Sequence, residues 1–98
     1  MTFGFPAYGD REELAEAARR FVAEGQLHLK MNVGFTPGQD LVEDEARVRA
    51  VREAMGDQGK LMVDANDRFN FMEARELARR IEPYNITWFE SPMFIKTD

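Results

Sequence analysis

The chain has 98 residues, 44% of them hydrophobic, and a net charge of −5. This is enough for one small globular domain, and too acidic to bind nucleic acid through a basic face. Cysteine is absent, which excludes disulfides and thiolate metal sites, and no apolar run reaches the length of a membrane span. No signal peptide is visible, so a soluble cytoplasmic protein is the expectation. Thr2 to Tyr8 is short and aromatic, with Phe3 and Phe5 on one face, and reads as a strand that Gly4 and Pro6 weaken. Asp10 opens a helix, and Glu13 three residues later completes a capping box. Leu14, Ala17, Ala18, Phe21 and Val22 form its apolar stripe, with Gly25 as its C-terminal stop.

Leu27 to Val33 is the second strand. Leu27, Leu29, Met31 and Val33 face one way, and His28, Lys30 and Asn32 the other. Gly34 to Gln39 holds two glycines and a proline and reads as a loop. Asp40 and Glu43 form a second candidate capping box, for a helix running to Met55 with Val48, Val51 and Met55 inward and Gly56 as its end. Lys60 to Asn66 is the third strand, apolar at first and polar on one face at its carboxyl end, where Met62, Asp64 and Asn66 share that face. Asn70 and Glu73 cap the next helix, lined by Phe71, Ala74, Leu77, Ala78 and Ile81 and stopped by Pro83. Ile86 to Glu90 is the fourth strand, closed by Ser91-Pro92.

Candidate caps at Asp10, Asp40 and Asn70 define a strand-then-helix repeat of about 30 residues, the mark of stacked βαβ units. Such units fit half of a doubly wound sheet or half of a (β/α) barrel. Lys30, Asn32, Asp64, Asn66 and Glu90 all lie at carboxyl ends of successive strands. A barrel gathers such residues at one mouth, whereas an open sheet spreads them along an edge.

Asp64 and Glu90 are carboxylates on adjacent strand ends, the oxygen donors a hard cation such as Mg²⁺ takes. The plainer alternative is that each caps a helix or pairs with a lysine. Lys30 points to the same mouth, as a cation for a substrate carboxylate, as a base, or as the salt-bridge partner of Asp64. His28, two residues deeper, reads as packed and hydrogen-bonded, and Trp88 and Phe89 as core. The pairs Arg19-Arg20 and Arg79-Arg80 read as solvated helix ends.

The runs "KMNVG" (Lys30 to Gly34), "RVRAVREAMG", "LMVDAN" and "IEPYNITWFESP", in this order and spacing, resemble the mandelate racemase/muconate lactonizing branch of the enolase superfamily from about Gly25 onward. The resemblance implies a (β/α)7β barrel that abstracts the proton α to a carboxylate and stabilises the enediolate on Mg²⁺. It makes Asp64 the first metal ligand and Glu90 the second. Asn66 becomes a polar residue beside metal and substrate, and Lys30 the first lysine of a Lys-x-Lys motif.

Two departures stand out. Asn32 occupies the place of the second lysine, and Ser91 that of the second glutamate in a Glu-Glu-Pro turn. An asparagine amide takes up no proton near neutral pH, which counts against racemisation, epimerisation and cycloisomerisation by the usual route. Acid-sugar dehydration is less affected, and the implied activity is that of a Mg²⁺-dependent dehydratase acting on a sugar-acid carboxylate. A (β/α)8-type barrel needs around 250 residues. The expectation is therefore an α/β fold holding the first four parallel strands and three intervening helices of the barrel, residues 1–98 being its N-terminal half. The capping domain and later strands would be absent. Such a half-barrel is expected to be inactive alone and to associate with itself or a complementary piece through its exposed edges.

Overall fold

The computed structural model describes residues 3–4, 10–65 and 68–90, with backbone alone at 3–4 and 87–90. Strands β1 (Phe3–Gly4), β2 (His28–Asn32), β3 (Lys60–Asp64) and β4 (Ile86–Glu90) alternate with helices α1 (Arg11–Ala23), α2 (Leu41–Met55) and α3 (Phe71–Ile81). The strands form one parallel sheet in the order β1-β2-β3-β4. Each pair of neighbours is joined through a helix, the long crossover that a parallel connection requires.

All three helices pack on one face of this sheet. Leu29, Met31 and Val33 from β2 and Leu61, Val63 and Ala65 from β3 meet Leu14 and Ala18 of α1, Val48, Val51 and Met55 of α2, and Leu77 and Ile81 of α3. Fully burying a side chain such as Leu29 or Leu61 contributes about 2 kcal/mol. The opposite face carries the alternate residues. His28 and Lys60 are exposed there, and Lys30, Asn32 and Met62 are half-buried. The packed histidine expected at position 28 is thus an exposed one, because the described helices all pack on the other face.

The helix ends follow local chemistry closely. Asp10 with Glu13 and Asn70 with Glu73 form complete capping boxes, each side chain bonding the other residue's backbone N–H. At α2 the box is incomplete. Asp40 accepts from the N–H groups of Val42 and Glu43, but the Glu43 carboxylate turns to Arg11 and Arg47 instead, at 2.7 and 3.0 Å. Helix α1 ends in a Schellman motif, with Gly25 N–H donating to Val22 C=O and Gln26 N–H to Phe21 C=O. Gly25 takes the required left-handed conformation at φ +89°.

Three expectations about α3 change, the first being Ala78, which is exposed and not part of the buried stripe. Phe71 is 55% exposed rather than inward, because Phe69, in the turn before the helix, fills that place in the core at 1% exposure. Arg80 is no mere solvated helix end, since it bridges Glu45 of α2 and Glu76 of its own helix, both at 3.0 Å. Arg19 at the end of α1 likewise pairs with Glu12 and Glu16.

A buried arginine ties the amino ends of the strands together. Arg52 of α2 donates to the carbonyls of Gly56, Gly59, Tyr84 and Asn85 at 2.9–3.0 Å. One guanidinium thereby satisfies the end of α2, the approach to β3 and the approach to β4. A planar fork with five donors suits this task, where a lysine offers a single point of attachment.

Candidate functional site

The strand register places the sequence-flagged residues side by side. Lys30 pairs with Met62 and Asn32 with Asp64 between β2 and β3. Asp64 in turn pairs with Glu90 between β3 and β4, after an irregularity in the register between Leu61 and Val63. Residues two apart on a strand share a face, so Lys30, Asn32 and Asp64 lie on the face away from the helices. Lys30 reaches diagonally across, its Nζ 3.7 Å from Asp64 Oδ2. The Asp64 side chain is 11% exposed and that of Lys30 35%. Asp64 also anchors the strand ends through its backbone, its carbonyl accepting from Val33 N–H at 3.0 Å.

Two loops complete this end of the sheet. Gly34 turns the chain out of β2 at φ +88°, where a β-carbon would lie 3.2 Å from Arg68 Cβ and 3.3 Å from the Phe69 ring. Arg68 Nε donates to Gly34 C=O at 2.9 Å, and its guanidinium lies 4.5 Å from the centre of the Phe35 ring. Gln39 Nε2 donates to Arg68 C=O. Behind Gly34 stands Asp44 of α2, 2% exposed, whose two carboxylate oxygens accept from Gly34 N–H at 3.2 and 3.3 Å. Burial pushes the Asp44 carboxyl up to about 6, against the opposing pull of the Gly34 N–H. One residue earlier, Glu43 is held down to about 2, chiefly by its hydrogen bond from Arg11.

Of the residues flagged from sequence, Lys30, Asn32 and Asp64 are brought together. Glu90 stands beside Asp64 in the backbone register, while its side chain, with those of Trp88 and Phe89, lies outside the described residues. So do Asn66 and Ser91. Sequence reasoning missed Asp44, Arg68 and Phe69. A carboxylate at the inward spacing of α2 was the one signal that could have flagged Asp44.

Asp64 and, by its place in the register, Glu90 are the groups that could hold a metal. Carboxylate oxygens at neighbouring strand ends suit a hard divalent cation, so the donors fit Mg²⁺ in kind. Among the described residues no cluster of three acidic or histidine side chains gathers around a common point. A concavity of about 530 Å³ is lined by Arg75, Ala78, Arg79, Ile81, Glu82, Asn85 and Ile86, along α3 and the start of β4. It lies at the opposite end of the strands from Asp64, away from the flagged residues. Among the described residues no helix is long and apolar enough to cross a membrane.

Residues 13–97 match the family described as enolase C-terminal domain-like. The chain belongs to that family, in its mandelate racemase/muconate lactonizing branch. Arabinonate dehydratase of Saccharolobus solfataricus is 37% identical over 89 residues, covering 91% of this chain and 22% of that protein. The 3,6-anhydro-alpha-L-galactonate cycloisomerase of Streptomyces coelicolor is 42% identical over 80 residues, covering 82% and 21%. Among solved structures, a racemase from Streptomyces coelicolor A3(2) with bound magnesium superposes with a TM-score of 0.84 at 37% identity, over 95% of this chain and 27% of that one. The chain thus spans about a fifth of the length of the curated relatives it matches. These enolase-family relatives include dehydratases, cycloisomerases and racemases, so membership alone does not select a reaction.

Proposed function

We propose that this chain forms the first four strands and three helices of a (β/α) barrel and supplies part of the active site of a Mg²⁺-dependent lyase that dehydrates sugar acids. Residues 1–98 then correspond to the N-terminal half of the barrel. The observation that carries this reading is the Lys30–Asp64 pair, with Asn32 abreast of Asp64 at the carboxyl ends of β2 and β3. Barrel enzymes assemble their chemistry at this end of the strands.

In this reading Asp64 and Glu90 hold the metal. When bound, the metal lends positive charge to the oxygens of the substrate carboxylate and favours loss of the neighbouring proton. Lys30 adds a second positive charge on the same face. It can move from Asp64 to a substrate oxygen with little change in its electrostatic surroundings. Asn32 donates to or accepts from a hydroxyl or carboxylate of the substrate, and the same role falls to Asn66. Asn32 carries no proton away, because its amide is not basic. That property favours dehydration over the racemase and cycloisomerase alternatives, which use a base at this place.

The proposed site is tested on the 98-residue chain with Mn²⁺ as a paramagnetic probe. Mn²⁺ should broaden the signals of Lys30, Asn32, Asp64 and Glu90 first, and millimolar Mg²⁺ should reverse the broadening, since two carboxylates leave most of an octahedral shell to water. Broadening centred on the acidic helix residues Glu43, Glu45 or Glu76 instead would refute the site. Turnover is assayed on a sugar-acid panel with this chain and with any longer polypeptide that contains it. Light scattering that shows a dimer with no turnover by either would favour a non-catalytic, self-associating module.

A further inference from the structure

Asp44 is a buried carboxylate that the proposed chemistry does not use. Its setting is specific. Both oxygens meet one backbone N–H, that of Gly34, and the carbonyl of the same residue accepts from Arg68. The backbone at Gly34 is therefore clamped from α2 on one side and from the turn before α3 on the other. One residue before it, Val33 N–H reaches Asp64 C=O, and two residues before it stands Asn32. Gln39 closes the ring by donating to Arg68 C=O. Isolated buried charges are costly, and one kept against a backbone amide at the rim of a site fixes that backbone in place.

We propose that Asp44 is a positioning residue. Through the backbone of Gly34 it holds the carboxyl end of β2 against that of β3, and so sets Asn32 beside Asp64. The proposal rests on the reading of Asn32 and Asp64 as site residues and adds to it a control on their geometry. The groups that face Asp44 all bear on its charge. Arg47 of its own helix favours the ionised form, while Asp40 and Glu43 oppose it, and burial opposes it most. Arg11 of α1 neutralises Glu43, and Arg68 approaches from the β3–α3 turn, where it binds Gly34. Lys30 and Asp64 stand on the opposite face of the sheet. Protonation of Asp44 would remove the charge from its bond to Gly34 N–H, weaken that side of the clamp and shift its balance towards Arg68.

The test is a pH titration of the labelled 98-residue chain, followed at the Asp44 carboxyl carbon, the Gly34 amide, Arg68 Nε–H and the Asn32 side-chain amide. His28 is the chain's one histidine and is exposed, so the titration is run in a His28→Gln background. All four signals should share one midpoint, at about 6. In Asp44→Asn, which is uncharged like the protonated acid and cannot titrate, the other three should stay flat, near their low-pH positions. In Asp44→Leu the hydrogen-exchange protection of Gly34 should fall about tenfold, the worth of one lost charged hydrogen bond. An Asn32 signal that stays flat while Asp44 titrates would reduce Asp44 to a packing role and overturn the proposal. So would a transition in Asn32 that persists unchanged in Asp44→Asn. Neither result depends on metal binding, and failure of Mn²⁺ to reach Asp64 would leave these four signals untouched.

Discussion

Lys30 Nζ stands 3.7 Å from Asp64 Oδ2 across two parallel strands, a diagonal contact between residues that are not register partners. The pair is partly solvated, so it adds little to stability, and its weight falls on what else can bind Asp64. Lys30→Met removes a cation that competes for the carboxylate. It should tighten Mn²⁺ binding by the chain about threefold, within the range of a weak ion pair. Asp64→Asn should abolish specific binding. Relaxation enhancement of water protons measures both, and equal affinity in Lys30→Met and the parent chain would show that the lysine does not compete.

The Gly34 position predicts a contrast between two glycines. Gly25 and Gly34 share a left-handed backbone, at φ +89° and +88°, but only Gly34 has neighbours in the space a β-carbon would fill. Gly25→Ala should cost about 1 kcal/mol, the ordinary penalty of that conformation. Gly34→Ala must also displace Arg68 and Phe69, and should cost roughly 2–4 kcal/mol. Urea unfolding of the two variants gives the comparison, and equal costs would mean that the turn before α3 yields freely.

Arg52→Met should be among the most damaging single changes in the chain. It leaves the carbonyls of Gly56, Gly59, Tyr84 and Asn85 without their shared donor. The expected loss is roughly 3–5 kcal/mol, near the whole stability of a domain this size. Arg52→Lys should recover less than half of it, because three tetrahedral donors cannot span four carbonyls. Thermal unfolding followed by circular dichroism distinguishes the two variants.

Stability should pass through a maximum on the acid side of neutrality. The Asp44 carboxyl is raised in the folded chain from 3.8 to about 6, so folding takes up a proton between those values. Its contribution therefore improves as pH falls from 6 towards 4, by at most about 3 kcal/mol for a shift near two units. Glu43 acts in the opposite sense. Its carboxyl drops from 4.5 to about 2 on folding, so its contribution is present above 4.5 and is lost as pH falls towards 2. Urea midpoints should thus rise from pH 7 to about 5 and fall below 4, and Asp44→Asn should flatten the upper arm alone. Midpoints that rise steadily from pH 4 to 7 in the parent chain would contradict the burial of an ionised Asp44.

Much of this architecture was legible because its signals are short-ranged. Alternation in His28 to Asn32 and Lys60 to Asp64 separates the helix side from the polar side two residues at a time. Two of the three caps need only a carboxyl or amide oxygen and a glutamate three residues later. What escaped was decided by groups far apart in the chain. Glu43 abandons its capping box for Arg11, 32 residues away. Phe69 displaces Phe71 from the core although both are phenylalanines near a helix start. Asp44 and Arg52 lie on the buried side of α2, where polarity reads as a surface, and their partners are backbone groups that leave no mark in composition. Parity placed Lys30, Asn32 and Asp64 on one face, as the structure has them. The clamp behind them left only the inward spacing of Asp44 as a trace, because Gly34 and Asp44 meet through a main-chain amide.

The fourfold bond of Arg52 has a consequence for how the molecule comes apart. Opening the Tyr84–Asn85 segment would strip two acceptors from a buried cation, and the cost of that exposure adds to the loss of the β4 pairing itself. The amino ends of β3 and β4 and the last turn of α2 are thereby coupled into one cooperative opening unit, with the guanidinium as its common member. Amide exchange in the last turn of α2, at Gly59 to Leu61 and at Asn85 and Ile86 should then report a single opening free energy.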